Sequence, residues 1–559
     1  MAGSGPARGL AAVLFCWALL AGTCLAQAPS VPVSPAAPAA AEVVLTIGRF
    51  RVEDGDPALA RRSARLLAPL RDRPVSLEAV RAAAQRLERL YVDHGHFLAH
   101  VELPPQEVPE GGEFRIRIVP GFIEQIDAEG VPRPLRARVL AFVLPLVGQR
   151  NITTAGYERA VLLANELPTA DLKASLRPGT VAGGVILVLK GHYRPISGYA
   201  AVDDCMPSLL GRTSATVSAA YNATRYIDQI YATASAAVDV DPLLSTSAHR
   251  YLDTGVRGHL GTSGAEFDFH YIWAMSNPPL TAGGSDFGNA FLDTAGAFRR
   301  IAIRFEYPLV KSSATSLNVN AGFDATAEFQ LANPFFNSLY ADHLRVLRLG
   351  FDTRHRFGGS TELTFGVDFS QGLDAFGSRG PAQASATVPL SQPGASDVFT
   401  KWEWHGSLRH DLPRDFALGV TGRGQYVAGR PLLLAEKFVL GGPNDLSAYD
   451  FADFSGDRGW VLRVEVQRLF SWQHGDGDTL LQPYGFAARG EVVNLQPLEL
   501  VHPTEIGNSV GLGARASWGR SKLRIGPVEL AAEMARQLNP DSDGLPNRWR
   551  ANLAATLRF

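Results

Sequence analysis

The chain has 559 residues, with 53 Lys and Arg against 55 Asp and Glu and a formal net charge of -2. That balance removes any global electrostatic reason to expect nucleic acid as a partner, and 3 Cys in a chain this long exclude a disulfide-stapled miniature. Beyond the N-terminus no apolar run approaches the ~20 residues a membrane helix needs; a membrane barrel escapes that test, because its signal is alternation alone.

Residues 1–28 have the pattern of a secretory signal peptide: Arg8 as the positive region, an apolar run over 10–20, and Ala26-Gln27-Ala28 as the small-residue cleavage site. Processing there removes Cys16 and Cys24 and leaves Cys205 alone. Residues 29–42 are Pro/Ala-rich and read as an extended linker, too short and too proline-rich for a helix that plugs a pore.

Residues 43–119 read as strand, helix, helix, strand, strand. Val44, Leu45, Ile47, Phe50 and Val52 mark the first strand. Ser76 is the N-cap of the second helix, whose Val80, Ala83, Ala84, Leu87, Leu90 and Tyr91 recur at three- and four-residue steps up to Gly95. Two alternating strands follow, over 100–103 and 114–119. Residues 120–192 repeat the order: a strand at Ile123 and Ile126, helices over 135–146 and 154–167, then strands over 171–176 and 185–189. A repeat of roughly seventy residues with one element order means two copies of one small α+β domain.

From residue 193 to 559 the period becomes two. In the last strand Trp549, Ala551, Leu553, Ala555, Leu557 and Phe559 share one face, and Arg550, Asn552, Ala554, Thr556 and Arg558 share the other. Similar alternation sets Trp460, Leu462, Val464 and Val466 against Arg463, Glu465 and Gln467. A sandwich and a membrane barrel both alternate; charged residues at strand centres and aromatics at strand ends favour a water-filled lumen with lipid outside. At about 20–25 residues per strand and turn, this region accommodates some sixteen strands.

These residues resemble the outer-membrane transporters of two-partner secretion, the haemolysin secretion/activation type, which join periplasmic POTRA domains to a barrel. The likeness rests on Leu90-Tyr91, Gly95, Ala99-His100-Val101 and Leu103-Pro104-Pro105-Gln106 in the first repeat, with His96 where a Tyr is usual. It continues through Asn165-Glu166-Leu167-Pro168, Leu176-Arg177-Pro178-Gly179 and Gly183-Gly184 in the second. In the barrel it rests on Gln425, Glu436 to Gly442, and Gly456-Asp457-Arg458-Gly459-Trp460 leading to Glu465. The resemblance implies two POTRA domains at 43–119 and 120–192, a transmembrane barrel over 193–559, and a long loop after Gly441-Gly442 that folds back into the lumen. Its tip normally reads Val-Arg-Gly-Tyr, the Arg pairing with the Asp of a Phe-x-Asp-x-Gly wall strand. Here the tip reads Asp445-Leu446-Ser447-Ala448-Tyr449 and the wall Phe486-Ala487-Ala488-Arg489-Gly490, so both charges are missing. A reversed pair, Asp445 with Arg489, is the expected replacement.

The implied function is a conduit, not an enzyme. No phosphate-cradling loop is present and no cofactor or metal is expected. A client strand would add to a POTRA sheet edge, with His100, Val101, Leu103, Pro104, Pro105 and Gln106 as the expected contact region. The family reading makes the client a large secreted β-helical exoprotein. Further partners are outer-membrane lipid and the barrel assembly machinery, for which Phe559 is the C-terminal signal; nucleic acid is not among them. An insertase of barrel proteins and a passive porin are the alternatives. His94, His96 and His100 read as surface or packing histidines, residues 474–478 as a solvated turn, and Cys205 as an inert turn thiol.

Overall fold

The computed structural model describes residues 44–150, 152–207, 210–222, 227–238, 249–277, 279–281, 291–332, 337–474, 477–496, 502–520, 526–538 and 548–559. The expected signal peptide, the expected linker and Gly475-Asp476 of the expected turn lie outside them.

The first domain is a four-stranded sheet in the order β2-β1-β4-β3, from β1 (Val44–Glu53), β2 (Pro74–Ser76), β3 (His100–Glu102) and β4 (Gly112–Val119). Helices α1 (Ala60–Leu67) and α2 (Leu77–Asp93) pack against it through a core that includes Ile47, Val80, Ala83, Leu87 and Ile116. Ser76 caps α2 as its side chain accepts the Ala79 N–H at 3.2 Å. The short β2 has too few residues to leave a periodic signal, and it pairs only with Val44, Leu45 and Thr46 of β1.

The second domain repeats the plan with β5 (Phe122–Gly130), α3 (Arg133–Val143), α4 (Thr154–Asn165), β6 (Lys173–Pro178) and β7 (Gly184–Lys190), in the sheet order β5-β7-β6. Helix α3 stops before residue 146 because Pro145 has no N–H to donate; Leu144–Leu146 form a 3-10 turn instead. Strand β6 starts two residues later than the alternation suggests, since Asp171 has a left-handed φ of 36°. The two domains meet where the N–H and hydroxyl of Thr154 both donate to Gly95 O, at 2.8 and 3.1 Å, beside the Phe97 and Tyr157 rings.

Among the described residues, sixteen antiparallel strands close into a barrel, the segments Pro279–Thr281 and Phe470–His474 extending two of its hairpin arms. The first strand, Ile196–Asp203, pairs with the last, Trp549–Arg558, through Tyr199 to Asp203 against Ala554 to Arg558. Phe559 adds two backbone hydrogen bonds of 3.0 Å to Gly198. Burial runs inside out. Leu462, Val464, Val466, Leu512 and Leu553 are exposed, whereas Asp324, Lys401, Arg463, Arg550 and Asn552 are buried. Only a sheet with lipid on its outer face and water on its inner face is stable with that arrangement, and closure removes the edges lipid cannot satisfy. No described helix is long and apolar enough to cross a membrane.

Candidate functional site

Between the strands Phe416–Val427 and Arg458–Arg468 the chain leaves the wall and turns into the lumen. A small ladder, Phe438–Leu440 against Phe454–Gly456, forms its neck. Gly441 has φ 115°, and a Cβ there would lie 2.0 Å from Asp450 O, so only glycine lets the two arms approach. The tip residues Leu446, Ser447, Ala448 and Tyr449 are all buried, packed on Tyr484, Phe486, Ala488 and Val461 of the wall. Gly490 of the wall motif provides room: a Cβ there would meet Leu440 Cδ1 at 2.8 Å.

Polar bonds hold the tip from several strands. Arg463 Nη1 donates to Ser447 Oγ at 2.6 Å, Asn552 Nδ2 to Ser447 O at 2.9 Å, and Ala448 N–H to Ser509 Oγ at 3.2 Å. Arg463 is itself compensated, pairing with Glu533 at 2.7 Å and Glu465 at 2.8 Å while its guanidinium lies over the Phe486 ring. Arg515 bonds the other side of Glu465, and Tyr484 donates to Glu533. Asp450, just past the tip, pairs with Arg550.

The expected Asp445–Arg489 pair does not form. Asp445 pairs with Arg423, which also donates to Val439 O. Arg489 is exposed and donates to Asn508 Oδ1 at 3.2 Å. The reason is parity: Phe486, Ala488 and Gly490 face inward, so Arg489, one residue out of phase, faces away. The wall guanidinium that reaches Ser447, where the family pattern has its arginine, is Arg463. Its strand alternates as the sequence suggests, but nothing local to Arg463 marks it as the partner of a serine sixteen residues earlier.

A second set of contacts closes the same end of the barrel. Residues 373–399 and 428–436 pack over Leu344, Val346 and Val427 through Ala395, Phe399, Leu432 and Leu433. Asp457, fully buried, accepts the N–H groups of Leu432 at 2.7 Å and Leu495 at 2.8 Å, tying two loops to the wall. Beneath them Glu436 pairs with Lys401 at 2.8 Å and with Arg348 at 2.7 Å.

On the first domain the expected client-contact region is already covered. Glu88 Oε2 accepts the Val101 N–H at 3.0 Å and pairs with His100. The Gln106 amide accepts the Arg115 N–H and donates to Arg115 O, both at 2.8 Å, completing the β4 edge as a strand would. Pro104 and Pro105 have no N–H to offer, and Val101 and Leu103 point into or pack on the core. The uncovered edge is on the other side. Beyond Thr46, β1 has no strand on its outer side among the described residues, and a cavity of about 250 Å3 opens there, lined by Phe50, Val52, Leu67 and Tyr91 among others. His94, His96 and His100 have different partners: Leu90 O, Asp56 and Glu88.

A lipid-facing barrel with a luminal loop and two α+β arms on its N-terminal side defines an outer-membrane transporter with periplasmic POTRA domains. A family model described as haemolysin secretion/activation protein ShlB/FhaC/HecB matches residues 286–514, and one for the ShlB-type POTRA domain matches residues 45–121. The outer membrane transporter CdiB of Escherichia coli is 20% identical over 452 residues, 78% of this chain and 73% of that protein. The hemolysin transporter protein ShlB of Serratia marcescens is 25% identical over 221 residues, 39% of this chain and 37% of its own. The solved structure of CdiB from Escherichia coli shares the fold with a TM-score of 0.72 at 18% identity, covering 94% of this chain and 93% of that one. The chain belongs to the haemolysin secretion/activation family of two-partner secretion transporters.

Proposed function

We propose that the protein takes an unfolded, β-helix-forming exoprotein from the periplasm and passes it through the barrel after the luminal loop withdraws. The observation that carries this reading is the buried loop tip, Leu446 to Tyr449, held by side chains of the wall inside a polar lumen. A passive pore has no need of such an obstruction, and the tip itself, Leu446 to Tyr449, carries no charge that would have to leave its partner; the ion pairs lie at its flanks, Asp445 with Arg423 and Asp450 with Arg550. Client capture is assigned to the outer edge of β1 and the adjoining cavity, because the β3–β4 side is closed by Glu88 and Gln106. Folding of the client outside the cell blocks its return and supplies direction. Phe559, at the barrel seam, serves as the signal for the barrel assembly machinery.

Removing the protein and comparing culture supernatants tests the function: one large exoprotein disappears while other outer-membrane barrels stay at normal abundance. General loss of barrels would mean an insertase. A photo-crosslinker at Arg51 on β1 captures the client in transit, and one at Arg115 on β4 does not; the reverse pattern returns capture to the region around Gln106.

A further inference from the structure

The joint between the second domain and the barrel contains a group of side chains that the transport reading does not use. Residues 191–195 are all that separate β7 from the first barrel strand, and α4 rests directly on the barrel turns. Arg159 donates to Ser263 O at 2.9 Å, Glu158 accepts the Ser313 hydroxyl at 2.7 Å, and a Cβ on Gly264 would lie 2.6 Å from Leu163 Cδ2.

His259 sits at the centre of this joint, its side chain 3% exposed. Its Nδ1 is 2.6 Å from Asp228 Oδ2, and Asp228 is held in turn by Arg138 of α3 at 2.6 Å. A carboxylate on one ring nitrogen orients an imidazole and leaves the other nitrogen free for a ligand, the arrangement that supports histidines bound to metal. That second nitrogen, Nε2, is buried and faces Glu266 Oε1 at 2.9 Å. Glu166, the C-cap of α4, completes the group: ligand atoms of Glu166, His259 and Glu266 all lie within 4.8 Å of one another.

We infer that Glu166, His259 and Glu266 bind one divalent transition metal of the zinc class, joining the second domain to the barrel. Imidazole nitrogen and carboxylate oxygen are both donors that zinc takes, at about 2.0–2.2 Å, and three protein ligands leave it a fourth position for water. Ligands at those distances are about 3–4 Å apart, so only a small contraction separates the present arrangement from a bound one. A metal takes histidine as the neutral ring, and with His259 so counted Asp228, Glu166 and Glu266 exceed Arg138 and Lys311 by one negative charge. Lys311 pairs with Glu166 and is the cation that an entering metal must displace.

The test uses the full chain, purified in detergent without a polyhistidine tag, stripped with a chelator and titrated with Zn2+ against a chromophoric competitor. One Zn2+ per chain is expected. Glu266→Gln lowers the affinity at least tenfold, and Asp228→Asn, which removes no ligand but weakens the support of His259, lowers it by about 10–100-fold. Lys311→Met raises it, an outcome that a merely structural ion-pair chain does not produce. Failure of the wild-type chain to retain Zn2+, or retention unchanged in Glu266→Gln and Lys311→Met, overturns the assignment and leaves His259 as a proton-bridged link between carboxylates. Secretion measured in the same variants keeps this result separate from the transport reading, since a chain that secretes without binding Zn2+ refutes only the metal.

Discussion

Arg463 and Ser447 meet inside the barrel with 2.6 Å between guanidinium and hydroxyl, the wall contributing the charge and the loop the neutral acceptor. The family pattern puts the arginine on the loop. Here its position is Ser447, and the position of the wall aspartate is Ala488, so the bond has been rebuilt with the charge on the opposite side.

Removing either partner should loosen the loop by different amounts. Ser447→Ala deletes one hydrogen bond to a charged group, worth about 1.5–3 kcal/mol, so openings in planar bilayers become roughly tenfold or more frequent. Arg463→Ala leaves Glu533 and Glu465 without their shared cation, at a cost of about 3–5 kcal/mol. The double variant should fall short of the sum, because the two residues share one bond.

Asp445 and Arg489 should behave as strangers. Arg489→Ala changes the unfolding temperature of the barrel little, within about 0.5 kcal/mol, as expected for a side chain outside the luminal network. Asp445→Asn destabilises the loop through Arg423, and exchanging the two charges as Asp445→Arg with Arg423→Asp recovers part of the loss. Heat-dependent mobility of the folded barrel on a gel reads both.

Asp457→Ala should release the outer loops. The carboxylate accepts two backbone N–H groups from separate segments, and losing two charge-assisted bonds costs about 3 kcal/mol or more. Limited proteolysis of intact cells should then cut within residues 428–436, where the parent chain resists. Unchanged cleavage would mean that the loops are held by their apolar contacts alone.

Cys205 follows the first barrel strand, and its thiol is pushed up to about 12, chiefly by burial and then by the charges of Asp203 and Asp204. A raised thiol pKa keeps the neutral form as pH rises through the usual range. At pH 8 only about one thiol in ten thousand is the reactive thiolate. Alkylation by iodoacetamide should therefore be slow at pH 8 and accelerate about tenfold per unit towards pH 11. Rapid labelling at pH 8 would contradict the burial.

Alternation was a sound guide wherever one face meets lipid. Trp549, Leu553 and Leu557 lie on the outer face of the last strand, and the capped helix after Ser76 is present as its spacing indicates. The same parity puts Arg489, one residue from Ala488, on the outer face, which the motif comparison alone does not convey. Other features depend on pairs distant in sequence. Gln106 closing the edge at Arg115, Asp457 binding Leu432 and Leu495, and His259 between Asp228 and Glu266 involve ordinary residue types without local periodicity. His94, His96 and His100 lie close together in sequence and have separate partners, whereas His259 at the domain joint has no other histidine near it in sequence.

The reversed polarity of the tip contact changes what remains after the gate swings away. A loop that carried the arginine would drag a desolvated ion past the wall and abandon a bare aspartate behind it. With Ser447 as the moving partner, every formal charge of the Arg463 cluster stays at home among Glu533, Glu465 and Arg515, already neutralised. Asp445 and Asp450 do leave with the loop, so a passing polypeptide meets a wall that has become more positive at Arg423 and Arg550 while the Arg463 cluster is unchanged.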